Sequence, residues 1–165
     1  MVEFVIASNN DFKVTSLAEI LAFFGASGHD YQDQLGHLNF PAEGEVSYAA
    51  NARAKAEFIS ARLPQAWVIA DDSGITLANC PGQFGVRTAR DLHAKYGTPQ
   101  VNARLVKLAG ERRDFEMTTV ISLARGGQQQ AAFTGTLRGT IARQVAPVGH
   151  GLDQILIPAG LSVPL

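Results

Sequence analysis

Two adjacent acids, Asp71 and Asp72, stand in Asp71-Asp72-Ser73-Gly74 directly after the apolar run Ala66–Ala70. Neighbouring carboxylates repel unless a cation or a basic group intervenes. Side chains alternate along extended backbone, so the two acids face different ways, one able to bind Mg²⁺ or orient water while the other holds the turn. Mg²⁺ suits such a place because it takes a few hard oxygen ligands and keeps waters and substrate phosphates for the rest. The plainer reading of the tetrapeptide is an Asx-type turn with Gly74 at positive φ.

Lys13 lies one turn past Ser8-Asn9-Asn10, a loop whose amides and following helix N-terminus can receive a phosphate. It is not a Gly-rich P-loop, since no G-x-x-x-x-G-K-[ST] occurs in the chain. Ser47, Asn51 and Lys55 are spaced i, i+4, i+8 and share one helix face, offering an amide and an ammonium to a triphosphate. For each lysine the plainer reading is a solvated helix face. Glu43, in Ala42-Glu43-Gly44-Glu45, can reach a metal shared with Asp72, or simply face water. Arg87 and Arg90 carry forked donors that match phosphate oxygens, the alternative being a surface ion pair with Asp91. Gly149-His150-Gly151-Leu152-Asp153 is a glycine-punctuated loop in which His150 can stack on a base or serve as an ordinary loop histidine.

The elements that must hold these residues follow from periodicity. Val2–Ala7 is a short β-rich run, and Val14, Leu17, Ile20, Leu21 and Phe24 recur at helical spacing after an Asn10 or Asp11 cap, with Gly25 as the stop. A polar stretch to Gly44 holds one short strand near His37–Phe40. Ser47 caps an Ala-rich helix to about Leu63, ended by Pro64. Ala66–Ala70 is a strand, Ile75–Ala78 another, and Thr98-Pro99 opens a third helix ending at Gly110. Phe115–Ala124 and Gln130–Ile141 are strands joined by Gly126-Gly127 as a hairpin turn, and Ile155–Ile157 is an apolar run. The predicted fold class is α/β, a mixed twisted sheet with helices packed on its faces and a central cleft.

The chain has 165 residues, 14 Lys+Arg against 15 Asp+Glu, 46% apolar residues and 18% charged ones. These values suit one domain spanning residues 1–165 and exclude a disordered chain. A net charge of −1 speaks against a general nucleic-acid binder. The single cysteine, Cys80, forms no internal disulfide and reads as a small buried residue. Val2–Ala7 is too short to span a bilayer, and no N-x-[ST] sequon occurs, so the expectation is a cytoplasmic protein without a membrane partner. The four histidines lack metal spacing, and neither a G-x-S-x-G elbow nor a G-x-G-x-x-G after a strand is present.

In sequence order, Ser8-Asn9-Asn10 with Lys13, then Glu43, Asn51-Ala52, Lys55-Ala56, Ala70–Gly74, Gly85–Arg90, Gly139-Thr140-Ile141 and Gly149–Asp153 resemble the inosine/xanthosine triphosphate pyrophosphatase family. The resemblance covers most of the chain and implies a homodimeric enzyme that hydrolyses deaminated purine nucleoside triphosphates to monophosphate and pyrophosphate. By that resemblance Ser8, Asn9, Asn10 and Lys13 hold phosphates, Glu43 and Asp72 bind Mg²⁺, and Asp72 is also the general base. Lys55 neutralises triphosphate charge, and Asn51, Ser73, Arg90, His150, Gly151 and Asp153 contact substrate.

The departures fall on one half. The family's base-binding loop has aromatics where His150 and Leu152 stand and a proline at Gln154, and Arg87 occupies an aromatic position. Ala50 replaces an acid, and the family's Ser-His-Arg segment lies beyond the point where this chain ends, at Leu165. The phosphate–metal half is therefore expected intact and base recognition altered. Two other functions remain open: a non-catalytic nucleotide binder, and an oligomerising domain in which the acids only stabilise a turn.

Overall fold

A computed structural model describes residues 2–45, 47–88, 91–92, 98–149 and 151–165, the side chains of 98 and 99 excepted. Arg90 and His150 lie outside the described residues. The chain packs as two compact units, residues 1–72 with 120–134 and residues 73–119 with 135–165.

In the first unit β1 (Glu3–Ile6) pairs in parallel with β2 (Ser27–Asp30) and with β3 (Trp67–Leu77). Helix α1 (Asp11–Phe23) makes the crossover from β1 to β2. It starts where Asn10 Oδ1 accepts from the Phe12 and Lys13 N–H groups at 3.1 and 3.4 Å, two of the donors a helix start leaves over. Gly28 lets α1 lie close on β2: a Cβ there would fall 2.8 Å from both Ile6 Cδ1 and Leu21 Cδ1. A single turn, α2 (Gln32–Leu35), follows β2, and α3 (Tyr48–Ser60) opens on Ser47, whose Oγ accepts from Ala50 N–H at 3.2 Å. Val5, Ala7, Tyr31, Ala56, Ile59, Val68, Ala70 and Ala124 form the core of this unit. Burying a side chain such as Ile59 contributes about 1.5–3 kcal/mol over leaving it exposed.

The second unit has its own core of Ile75, Leu77, Leu105, Phe115, Ile141, Ile155 and Leu156, with Val101 and Leu105 supplied by α4 (Thr98–Ala109). Strands β4 (Asp114–Arg125) and β5 (Gln128–Ile141) run through both units, and β5 pairs antiparallel with β6 (Leu156–Pro158). Gly126 and Gly127 join β4 to β5 with φ of 59° and 76°, the pair of positive values a two-residue hairpin turn demands. The hydrogen-bonded strand order is β2-β1-β3-β4-β5-β6, a mixed α/β arrangement as expected.

Four local expectations need correction. The strand near His37–Phe40 is absent; β2 lies ten residues earlier, at Ser27–Asp30. Ser-Gly-His-Asp carries no β-branched side chain, and the segment is extended because its backbone pairs with β1. Asp71–Gly74 is not a turn, and Ile75–Ala78 is not a separate strand, because β3 runs unbroken from Trp67 to Leu77 with both acids in its middle. Helix α3 ends at Ser60 with further turns over Ala61–Leu63, so Pro64 follows the stop instead of making it.

Candidate active site

The middle of β3 presents its two acids to different partners, as alternation along a strand requires. Asp71 Oδ2 accepts from Lys13 Nζ at 2.6 Å, the lysine reaching back from the first turn of α1. Asp72 Oδ2 accepts from Asn51 Nδ2 at 2.9 Å, inside the first unit. Both acids are buried.

Asn51, on the first turns of α3, does more than meet Asp72. Its Oδ1 accepts from Gly44 N–H at 2.8 Å and its Nδ2 donates to Gly44 O at 3.0 Å. One side chain thus bolts the residue after Glu43 to the residue that carries the buried acid. One helical turn further on, Lys55 Nζ donates to Glu43 Oε1 at 2.9 Å. Glu43 and Asp72, remote in sequence, therefore stand on the same side of the fold, with Lys55 next to Glu43.

Burial pushes the Asp72 carboxyl above its ordinary value, because removing an anion from water disfavours its charged form. The Asn51 hydrogen bond and the positive charges of Lys55 and Lys13 pull it down, while the negative charge of Glu43 pushes it up.

Among the described residues no group of three or more His, Cys, Asp or Glu side chains forms a metal cage. The donor set nonetheless fits a hard divalent cation. Asn51 links buried Asp72 to Gly44, the neighbour of Glu43, and Mg²⁺ commonly takes its other ligands from water and phosphate oxygens.

The loop after β1 completes this region. Ser8 is buried and its Oγ accepts from Asn10 N–H at 3.2 Å, while Asn10 caps α1 and so sets the turn from which Lys13 projects. Asn9 turns its amide onto the chain: Nδ2 donates to Leu38 O at 3.0 Å, and Oδ1 accepts from the Tyr31 hydroxyl. The first unit thus brings together Ser8, Asn9, Asn10, Lys13, Glu43, Asn51, Lys55 and Asp72; Ser73 follows, half-buried, in β3.

Gly151 and Asp153 belong to the second unit, in a short 3-10 turn over Gly151–Gln154. Buried Asn102 of α4 donates through Nδ2 to Gly151 O at 2.6 Å and to Gln154 Oε1 at 3.0 Å. Gln154 Nε2 donates to Ala146 O at 3.1 Å, and Ala146 N–H to Gln154 O at 2.9 Å. Arg87 meets Asp91 at 3.9 Å, the ion pair weighed for it above.

Sequence reasoning passed over Tyr31, Asn102 and the Gln154 amide. Each acts on a residue far off in the chain, a relation no local spacing signals. Cys80 is buried as expected, its thiol 3.6 Å from Leu108 O.

Comparison with known proteins supplies the family and the fold. A dihydroneopterin triphosphate diphosphatase of Limosilactobacillus reuteri is 43% identical over 164 residues, covering 98% of this chain and 84% of the relative. A dITP/XTP pyrophosphatase of Streptomyces coelicolor is 32% identical, covering 97% of this chain and 82% of the relative. The solved structure of the Staphylococcus aureus Ham1 protein superposes with a TM-score of 0.75 at 27% identity, over 98% of this chain and 84% of that one. The sequence pattern of the Ham1 family matches residues 4–163, and the chain belongs to that family.

Proposed function

We propose that this protein hydrolyses a purine-type nucleoside triphosphate to the monophosphate and pyrophosphate. The observation that carries the reading is the convergence in one unit of the Glu43 and Asp72 carboxylates with the Lys55 and Lys13 ammonium groups. Two relatives with diphosphatase or pyrophosphatase names support the same reaction class.

In this reading a triphosphate lies against the Ser8–Asn10 backbone amides and the N-terminus of α1, whose partial positive charge attracts anions. Lys13, held by Asp71, and Lys55, held by Glu43, offset charge on the phosphate oxygens. Asp72, kept in one orientation by Asn51, accepts a proton from water as the water oxygen bonds to the phosphorus next to the sugar. The bond from that phosphorus to the pyrophosphate group breaks, and pyrophosphate leaves. Glu43 and Asp72 are the residues that would hold Mg²⁺, which when bound neutralises charge developing on the phosphate oxygens. Ser73, Arg90, His150, Gly151 and Asp153 are proposed substrate contacts, on one domain spanning residues 1–165. The proposal includes a homodimer in the cytoplasm, free of nucleic acid and membrane; no helix among the described residues is long and apolar enough to cross a bilayer.

A second reading concerns the ring. The 43%-identical relative bears the name of a dihydroneopterin triphosphate diphosphatase, which favours a pterin triphosphate at the same phosphate site. The test is pyrophosphate release from dITP, XTP, dihydroneopterin triphosphate and ATP, with and without EDTA. Release that EDTA abolishes supports the reaction, and the ranking of kcat/KM chooses the ring. Triphosphate binding without release on any of them leaves a non-catalytic binder instead.

A further inference from the structure

We propose that Tyr31 is a positioning residue for the phosphate site, acting through Asn9 and Leu38; this rests on the reading of Ser8–Lys13 and Glu43 just given. Tyr31 follows β2 and is wholly buried at 0% exposure, yet its hydroxyl sits where two loops meet. It donates to Asn9 Oδ1 and accepts from Leu38 N–H at 3.1 Å, with Leu38 O an alternative acceptor at 3.3 Å. Asn9 Nδ2 closes the ring by donating to Leu38 O at 3.0 Å.

A buried tyrosine hydroxyl needs a partner, and this one both donates and accepts. Here one oxygen engages the side chain of the phosphate-loop residue and both polar groups of a residue in the loop that runs on to Glu43. The phenol ring cannot swing away: Phe40 packs edge-on at 5.5 Å between centroids, and Phe40 in turn meets Phe58 of α3 at 5.9 Å. Asn9 itself is exposed, and its amide is held only by these contacts among those described. A closed ring of hydrogen bonds of this kind behaves as one unit. The consequence is that the loop gripping phosphate and the loop carrying a proposed metal carboxylate shift together, so each is preorganised for the other.

Tyr31→Phe removes only the oxygen and keeps the packed ring. Calorimetry with inorganic pyrophosphate in EDTA is expected to show affinity about three- to tenfold weaker than wild type, the scale of one lost hydrogen bond. The Mg²⁺ concentration for half-maximal turnover is expected to rise by a similar factor, while kcat at saturation changes less than twofold. Asn9→Ala is expected to weaken pyrophosphate binding at least as much, and the double variant to bind no more weakly than Asn9→Ala alone, as coupled neighbours require. A fall in melting temperature with unchanged pyrophosphate affinity and Mg²⁺ requirement would overturn the proposal, leaving Tyr31 a packing residue.

If Tyr31→Phe does not fold, hydrogen exchange at the Leu38 amide decides. In Asn9→Ala that exchange is expected to speed up about tenfold or more through loss of the ring, and an unchanged rate overturns the coupling. Wild-type protein that neither binds pyrophosphate nor hydrolyses any triphosphate defeats the functional reading itself, an outcome separate from any variant's behaviour.

Discussion

Asp72 in β3 of the first unit and the Gly151–Gln154 turn of the second are both held by asparagine, but to different ends. Asn51 ties a carboxylate to a loop and leaves charge on display: Lys13 against Asp71, Lys55 against Glu43, Asp72 under desolvation. Asn102 and Gln154 tie backbone to backbone through neutral amides, with bonds to Gly151, Ala146 and each other. The contrast teaches a division of labour. Paired charges recognise a polyanion whatever ring it carries, because Coulomb attraction depends on charge and distance. Neutral amides that fix a backbone conformation suit discrimination by hydrogen bonds and shape. If the first unit grips phosphate and the Gly151–Gln154 turn bears on the ring, as proposed, the two are separately mutable.

The sharpest way to break this contrast is Asp72→Asn, expected to lower pyrophosphate release about a thousandfold while the melting temperature in EDTA stays level or rises. Wild-type turnover in that variant would remove Asp72 from the chemistry. The same substitution carries a pH signature. The native Asp72 carboxyl sits above its unfolded value of 3.8, so the folded protein holds that proton more tightly. Its contribution to stability is therefore greatest below the unfolded value and declines as pH rises through the native one. Metal-free wild type should thus gain stability relative to Asp72→Asn on acidification through that window, as thermal melts across pH would reveal; an opposite trend would mean that the pairing with Asn51 outweighs burial.

Next in size is Asn51→Ala, which strips partners from Gly44 and Asp72 together and is expected to cost about 1–3 kcal/mol of stability, along with most turnover. Denaturant unfolding measures the first and pyrophosphate release the second, and loss of neither would undo the bolt described for Asn51. The smallest effect sharpens the other side. Asn102→Ala is expected to alter the kcat/KM ratio between dITP and dihydroneopterin triphosphate by about three- to tenfold, the scale of one hydrogen bond, with pyrophosphate affinity untouched. Equal changes on both substrates, or weaker pyrophosphate binding, would dissolve the proposed division.

Much of the architecture was legible because its signals are local. The Asn10 and Ser47 caps, the apolar spacing of Val14 to Phe24 and the Gly126-Gly127 turn each determine geometry within a few residues. β2 escaped notice because Ser27–Asp30 owes its extension to β1, a neighbour in space. The acids were legible as residues but not as a mid-strand feature, since Asp, Ser and Gly favour turns in isolation and pairing within the sheet overrides them.

The amino-acid sequence by itself determined which groups are charged, which faces are apolar and in what order the Ham1-like segments follow one another. Only the tertiary structure decided that Asp71 belongs to Lys13 and Asp72 to Asn51, that Gly44 is fastened beside Glu43, and that Tyr31 joins two loops. The reason is one of range. Propensity and spacing act over a turn of helix or a few strand residues, whereas a hydrogen bond between residues 21 or 58 apart needs the core around Ile59 and Val68 to bring them together.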